Sequence, residues 1–103
     1  MNNKFGISSK SFSLIIETLR QFEDIDSVKI FGSRALGTFK NGSDIDLAVI
    51  GKDLQESTAM NLSAELNESL PIPYFVDVVA PQYLTNRNLI DHIECEGVIF
   101  YEK

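Results

Sequence analysis

The sequence predicts an α/β (α+β) domain, a single small mixed β-sheet of about four strands with helices packed on it. Three observations carry that expectation. Segments rich in β-branched and aromatic residues alternate with segments whose apolar residues recur at helical spacing, the order in which helices come to cover a sheet. The 103 residues suffice for one hydrophobic core and little more. No linker or shift of composition divides the chain, so residues 1–103 are expected to form one domain, with about 1–9 as an N-terminal lead-in.

Phe12, Ile15, Ile16, Leu19 and Phe22 fall at helical spacing, which predicts an amphipathic helix over about 11–22. Residues 28–31 are a short β-rich run that stops at Gly32, and 32–37 read as a turn followed by a brief helical segment. Asn41-Gly42-Ser43 marks a tight turn, after which 44–50 form a strand. Asp53-Leu54-Gln55-Glu56 has the outline of a capping box, and Ala59, Leu62, Leu66 and Leu70 mark a helix face that ends before Pro71. Residues 74–79 make a third strand, interrupted only by Asp77. Asn86 caps a last helix through Leu89, Ile90 and Ile93, closed by Gly97, and 98–101 give a terminal strand.

The net charge of −6 argues against unaided binding to a nucleic-acid backbone, which calls for a basic patch. It suits a basic partner surface or a small metal-bound substrate better. One cysteine, Cys95, excludes an internal disulfide and fits a reducing compartment. Residues 1–10 lack the apolar stretch of a signal peptide, and no run reaches membrane-spanning length. A soluble, cytoplasmic protein is expected.

The chemistry concentrates at Asp44-Ile45-Asp46. In a strand, residues two apart share a face, so the two carboxylates stand side by side while Ile45, Leu47 and Val49 face a core. Adjacent like charges repel and raise a pKa, and a divalent cation relieves them; hard carboxylate oxygens suit Mg²⁺. Asp77 interrupts an otherwise β-rich segment, where an aspartate is locally unfavourable. If its strand neighbours 44–50, it completes a three-carboxylate cluster able to hold two Mg²⁺ ions; the alternative is an aspartate on an exposed strand face. Gly32-Ser33, eleven residues before Asp44 when counted from the serine, ends a strand and opens a helical turn. Glycine lets the backbone approach a phosphate, and Ser33 offers a hydroxyl donor. Arg34 is read either as steering phosphates or as a solvated helix charge, and Ser43 as closing its turn.

Two other constellations are read as bland. Asp24-Ile25-Asp26 repeats the Asp-x-Asp spacing, but no Gly-Ser precedes it, so it is taken as a solvated connection. His92 and Cys95 have helical spacing without a second ligand pair for zinc, and are taken as ordinary helix positions. With one histidine and no G-x-S-x-G, a serine triad is not expected, and no Walker-type loop is present.

The run Phe31-Gly32-Ser33-Arg34-Ala35-Leu36-Gly37, followed by Gly42-Ser43-Asp44-Ile45-Asp46-Leu47-Ala48-Val49, resembles the signature of the DNA polymerase β-type nucleotidyltransferases. The chain is similar in brevity to the minimal nucleotidyltransferases, the MNT group. The placing of Tyr74-Phe75-Val76-Asp77 and of Gly97-Val98-Ile99-Phe100-Tyr101 fits the same group, so the resemblance runs from about residue 10 onward.

The resemblance implies the polymerase β-type catalytic core as the fold, with Gly32, Ser33 and Arg34 at the nucleotide. It also implies that Asp44 and Asp46 bind both Mg²⁺ ions, and that Asp77 binds the catalytic one and helps activate the incoming hydroxyl. The implied reaction is attack of a hydroxyl on the α-phosphorus of an NTP, ATP above all, with release of pyrophosphate. Larger relatives carry a second domain for base and acceptor, and this chain has no residues left for one. The MNT group implies an all-helical HEPN-type or substrate-binding partner, with the nucleotidyltransferase as antitoxin transferring AMP to a tyrosine of that partner. Two rival expectations stand beside it: transfer to a small hydroxylated molecule, and a non-catalytic nucleotide- or metal-binding module that neutralises its partner by contact.

Overall fold

The structure, a computed structural model, describes residues 3–103. Helix α1 (Ser9–Leu19) leads to strand β1 (Ser27–Phe31), and the short helix α2 (Ser33–Leu36) follows at once. Strand β2 (Ile45–Ile50) precedes helix α3 (Thr58–Ala64), which runs on into a π turn (Glu65–Ser69). Strand β3 (Val76–Val79), a 3-10 turn (Pro81–Tyr83), helix α4 (Arg87–Glu96) and strand β4 (Val98–Glu102) complete the order. The strands form one mixed sheet in the order β3-β2-β1-β4. β1 pairs antiparallel with β2 and with β4, whereas β2 and β3 run parallel.

Alternation along the strands divides the molecule into two layers of side chains. Val28, Ile30, Ile45, Leu47, Val49 and Val76 enter the main core with Ile15 and Leu19 of α1 and Leu62 and Leu66 beyond. On the opposite face Phe31 and Ala48 pack with Ile93 of α4 in a smaller cluster edged by Val79, Leu84 and Leu89. Asp46 and Asp77 fall on that second face, between residues that point into the main core. No helix among the described residues is long and apolar enough to cross a membrane.

Three local readings change. Part of the expected lead-in at 1–9 belongs to the core, its first two residues lying outside the described ones: Phe5 and Ile7 are buried, and the Asn3 side chain accepts the Phe5 and Ile7 N–H groups at 2.9 and 3.1 Å. The capping box at 53–56 does not form. Helix α3 begins later, and Asp24 reaches across the chain to accept Gln55 N–H at 2.9 Å and the Thr58 hydroxyl. Asp26 likewise accepts Lys52 N–H at 2.9 Å, so the Asp24–Asp26 pair is a tether to the β2–α3 loop and not merely a solvated connection. The Asn86 cap does form, its side chain accepting Leu89 N–H at 3.2 Å.

Candidate active site

The site begins where β1 ends. Gly32 adopts φ 75° and ψ −155°, which lets the chain leave the strand and enter α2 without an intervening loop. The turn passes so close to β2 that a Cβ built on Gly32 would lie 2.5 Å from Asp46 Oδ2. Ser33 follows, half-buried, as the first residue of α2.

Strand register supplies the carboxylates. Phe31, Asp46 and Asp77 stand opposite one another across three neighbouring strands, Asp46 being the partner of both. Asp44 stands one residue ahead of β2, exposed, and Asp77 is also exposed. Asp46 is half-buried, and its carboxyl is held above the ordinary range, first by burial and then by the negative charges of Asp77 and Asp44. Arg34 and His92 act in the opposite direction. The Asp-x-Asp pair, the third aspartate and the Gly-Ser turn therefore meet on one face at one end of the parallel pair.

Carboxylate oxygens suit a hard divalent cation, and the negative charges of Asp77 and Asp44 already oppose ionisation of Asp46. Among the described residues no three His, Cys, Asp or Glu side chains are gathered closely enough to enclose an ion. Exposed Asp44 and Asp77 have room to turn toward Asp46.

Arg34 lies elsewhere than either sequence reading placed it. It is 2% exposed, so it is no solvated helix charge, and its guanidinium donates to carbonyl groups and not toward the carboxylate cleft. Nη1 donates to Phe5 O at 2.8 Å, and Nε and Nη2 donate to Ser43 O at 3.2 and 2.8 Å. The Phe39 and Tyr74 rings lie against it, at 5.1 and 5.0 Å from their centroids. Ser43 closes its turn as expected, accepting Lys40 N–H at 2.8 Å, and Arg34 grips the carbonyl immediately before Asp44.

His92, taken from the sequence as an ordinary helix position, acts on Asp46. Its ring meets Phe31 edge-on, with centroids 6.1 Å apart, and Phe31 is the register partner of Asp46. Its Nδ1 lies 3.4 Å from Glu96 Oε1. Helical spacing gave no sign of this, because only the packing of α4 on β1 carries the ring to the aspartates. Cys95 is exposed and apart.

The polymerase beta nucleotidyltransferase family model matches residues 14–103. The fold is similar to that of a toxin–antitoxin crystallised with AMP-PNP, with TM-score 0.71 and 26% identity over 89% of this chain and 73% of that one. It is also similar to a chain in the MntA–HepT toxin–antitoxin, with TM-score 0.65 and 22% identity over 93% and 74%. A third likeness is to a chain in the tri-AMPylated Shewanella oneidensis HEPN toxin in complex with MNT antitoxin, with TM-score 0.65 and 23% identity over 91% and 71%. No curated protein matches the chain. These neighbours agree with the resemblance to minimal nucleotidyltransferases. With the family match spanning the turn, all three aspartates and the whole sheet, this chain belongs to the polymerase beta nucleotidyltransferase family.

Proposed function

We propose that this chain is a Mg²⁺-dependent nucleotidyltransferase that moves AMP from ATP to a hydroxyl of an all-helical HEPN-type partner protein, as the antitoxin or catalytic half of a two-component system. The observation that carries the reading is the pairing of Asp46 with Asp77 across the parallel strands, beside the close turn at Gly32. The structural neighbour with AMP-PNP supports a nucleotide substrate, and the AMPylated HEPN complex supports a protein acceptor.

In this reading Gly32 and Ser33 hold the triphosphate, the glycine by close backbone approach and the serine by its hydroxyl. Asp44, Asp46 and Asp77 would hold two Mg²⁺ ions, which when bound supply charge stabilisation for the phosphates and the acceptor oxygen. Asp77 faces the acceptor and takes its hydroxyl proton. The acceptor oxygen forms a bond to the α-phosphorus, and the bond to the bridging oxygen breaks as pyrophosphate leaves with its electron pair. Arg34 orients Asp44 through the Ser43 carbonyl and does not bind phosphate. The free thiol of Cys95 is consistent with a cytoplasmic setting.

The test is incubation with Mg²⁺, α-labelled NTPs and a HEPN-type protein, taken from a neighbouring gene where one is found, followed by a denaturing gel. Label on the partner, lost with Asp77→Ala, is the expected result. A complex that forms but takes no label from any NTP would overturn the reaction.

A further inference from the structure

β3 is an edge strand, and on its open side lies a groove of about 590 Å³ bounded by α3, the π turn and the 3-10 turn. Three large apolar side chains line it in the open: Met60, Phe75 and Tyr83 are 76%, 55% and 44% exposed. Val79 adds apolar surface between them. Isolated exposed apolar residues are ordinary, whereas a contiguous set lining one groove marks a place of interaction. The strand edge is closed to another strand at Val76, because the Asn67 amide donates to Val76 O and accepts Val76 N–H, both at 2.8 Å. A partner in this groove is therefore held by side chains, as a helix is, and not by an added backbone ladder.

The charge around the groove is one-sided. Residues 53–86, which build it, contain Asp53, Glu56, Glu65, Glu68 and Asp77, and no Lys, Arg or His. Glu56 and Glu68 line the groove and are exposed. A second copy would bring the same charge to the same rim, and a nucleic-acid backbone would be repelled. Phe75, just before β3, and Val79, at its end, both line the groove and stand two residues to either side of Asp77, so the groove adjoins the strand that carries this carboxylate.

We propose that this groove docks a basic amphipathic helix of the protein acceptor, its apolar ridge on Met60, Phe75 and Tyr83 and its Lys or Arg flank against Glu56 and Glu68. The proposal rests on the reading that the acceptor is a protein, and it is measured by binding without catalysis so that the two can fail separately.

The probe is a fluorescent synthetic helix of about 20 residues with a Leu ridge and Lys flanks, beside a matched peptide with Glu in place of Lys, read by anisotropy. The Lys peptide is expected to bind and the Glu peptide not to. Met60→Ser with Phe75→Ser is expected to weaken binding by about tenfold or more, with circular dichroism and Mg²⁺–ATP thermal shifts unchanged. Glu56→Gln with Glu68→Gln is expected to weaken it several-fold and to flatten its salt dependence. The groove assignment is overturned if the Lys peptide does not bind, if the serine variant binds it as well as wild type, or if both peptides bind alike. It is also overturned if sedimentation shows a dimer that the serine variant abolishes. Peptide binding without nucleotide transfer to any protein would leave the groove standing and overturn the reaction alone.

Discussion

Gly32 joins conformation to chemistry at a single position. Its φ of 75° is a region that residues with a side chain avoid, and the space a Cβ needs is filled by the Asp46 carboxylate. Gly32→Ala is expected to cost about 1–3 kcal/mol and to displace Asp46, so that urea denaturation and AMP transfer both decline. Asp46 makes the opposite trade. Its folded carboxyl is raised by burial, then by Asp77 and Asp44. Such a group stabilises the fold fully below its unfolded pKa of about 4, and that share is lost as pH rises through the folded value. At neutral pH its ionised form therefore weakens the fold. Asp46→Asn is expected to melt higher than wild type at neutral pH while transfer falls by about 10²-fold or more. Mg²⁺ is expected to raise the melting temperature of wild type and not of the variant. Thermal scans from acid to neutral pH decide it; a variant melting lower at neutral pH would contradict the sign.

Between elements, Arg34 and Asn67 act as side-chain connectors. Arg34 joins the N-terminal segment, α2 and the turn before β2 through the Phe5 and Ser43 carbonyls. Removing a buried charged partner leaves those carbonyls unsatisfied, so Arg34→Met is expected to cost about 3–5 kcal/mol. Arg34→Lys keeps the charge without the fork and is expected to fold. If Arg34 orients Asp44 through the Ser43 carbonyl and does not hold phosphate, steady-state kinetics of the Lys variant are expected to show kcat falling with KM for ATP little changed. A rise in KM alone would restore the phosphate-steering reading. Asn67 sits in the π turn, a local widening that presents its amide to both polar groups of Val76. Asn67→Ala is expected to cost about 2 kcal/mol for two lost hydrogen bonds and to open the β3 edge to pairing. Chemical denaturation and light scattering of the purified variant check the two effects.

Across the whole molecule, long-range polar ties reinforce the loops that carry Ile25 and Leu54 into the core. Asp24 serves the start of α3, Asp26 serves Lys52, and the Lys103 ammonium donates to Glu23 O at 2.7 Å. For Asp24, burial by itself raises the carboxyl, but hydrogen bonds from Gln55 and Thr58, its own backbone and nearby Lys103 outweigh it and hold the group below the ordinary range. A lowered folded pKa gives stability that is present above the unfolded pKa and lost as pH falls through the folded one. Asp24→Asn is expected to cost about 1 kcal/mol at neutral pH, with the gap to wild type closing below about pH 4. Parallel urea titrations at the two pH values measure that gap.

Much of this was legible in the chain itself. Hydrophobic period and turn chemistry identify the strands, the Asn86 cap and the alternation at Ile45, Leu47 and Val49, because these are local consequences of backbone geometry. The Asp44-Ile45-Asp46 spacing sets Asp46 on the face away from Ile45 and Leu47 for the same reason. What the chain could not declare is what meets across it. Capping-box chemistry at 53–56 is outcompeted by a carboxylate from residue 24, and a lead-in becomes core once Phe5 and Ile7 find the sheet. The pairing of Asp46 with Asp77, the burial of Arg34 between Phe39 and Tyr74, and the seat of His92 on Phe31 depend on strand order and helix packing. Local periodicity determines which side chains share a face of one element; only tertiary structure decides which faces meet, because those contacts join residues far apart in the chain.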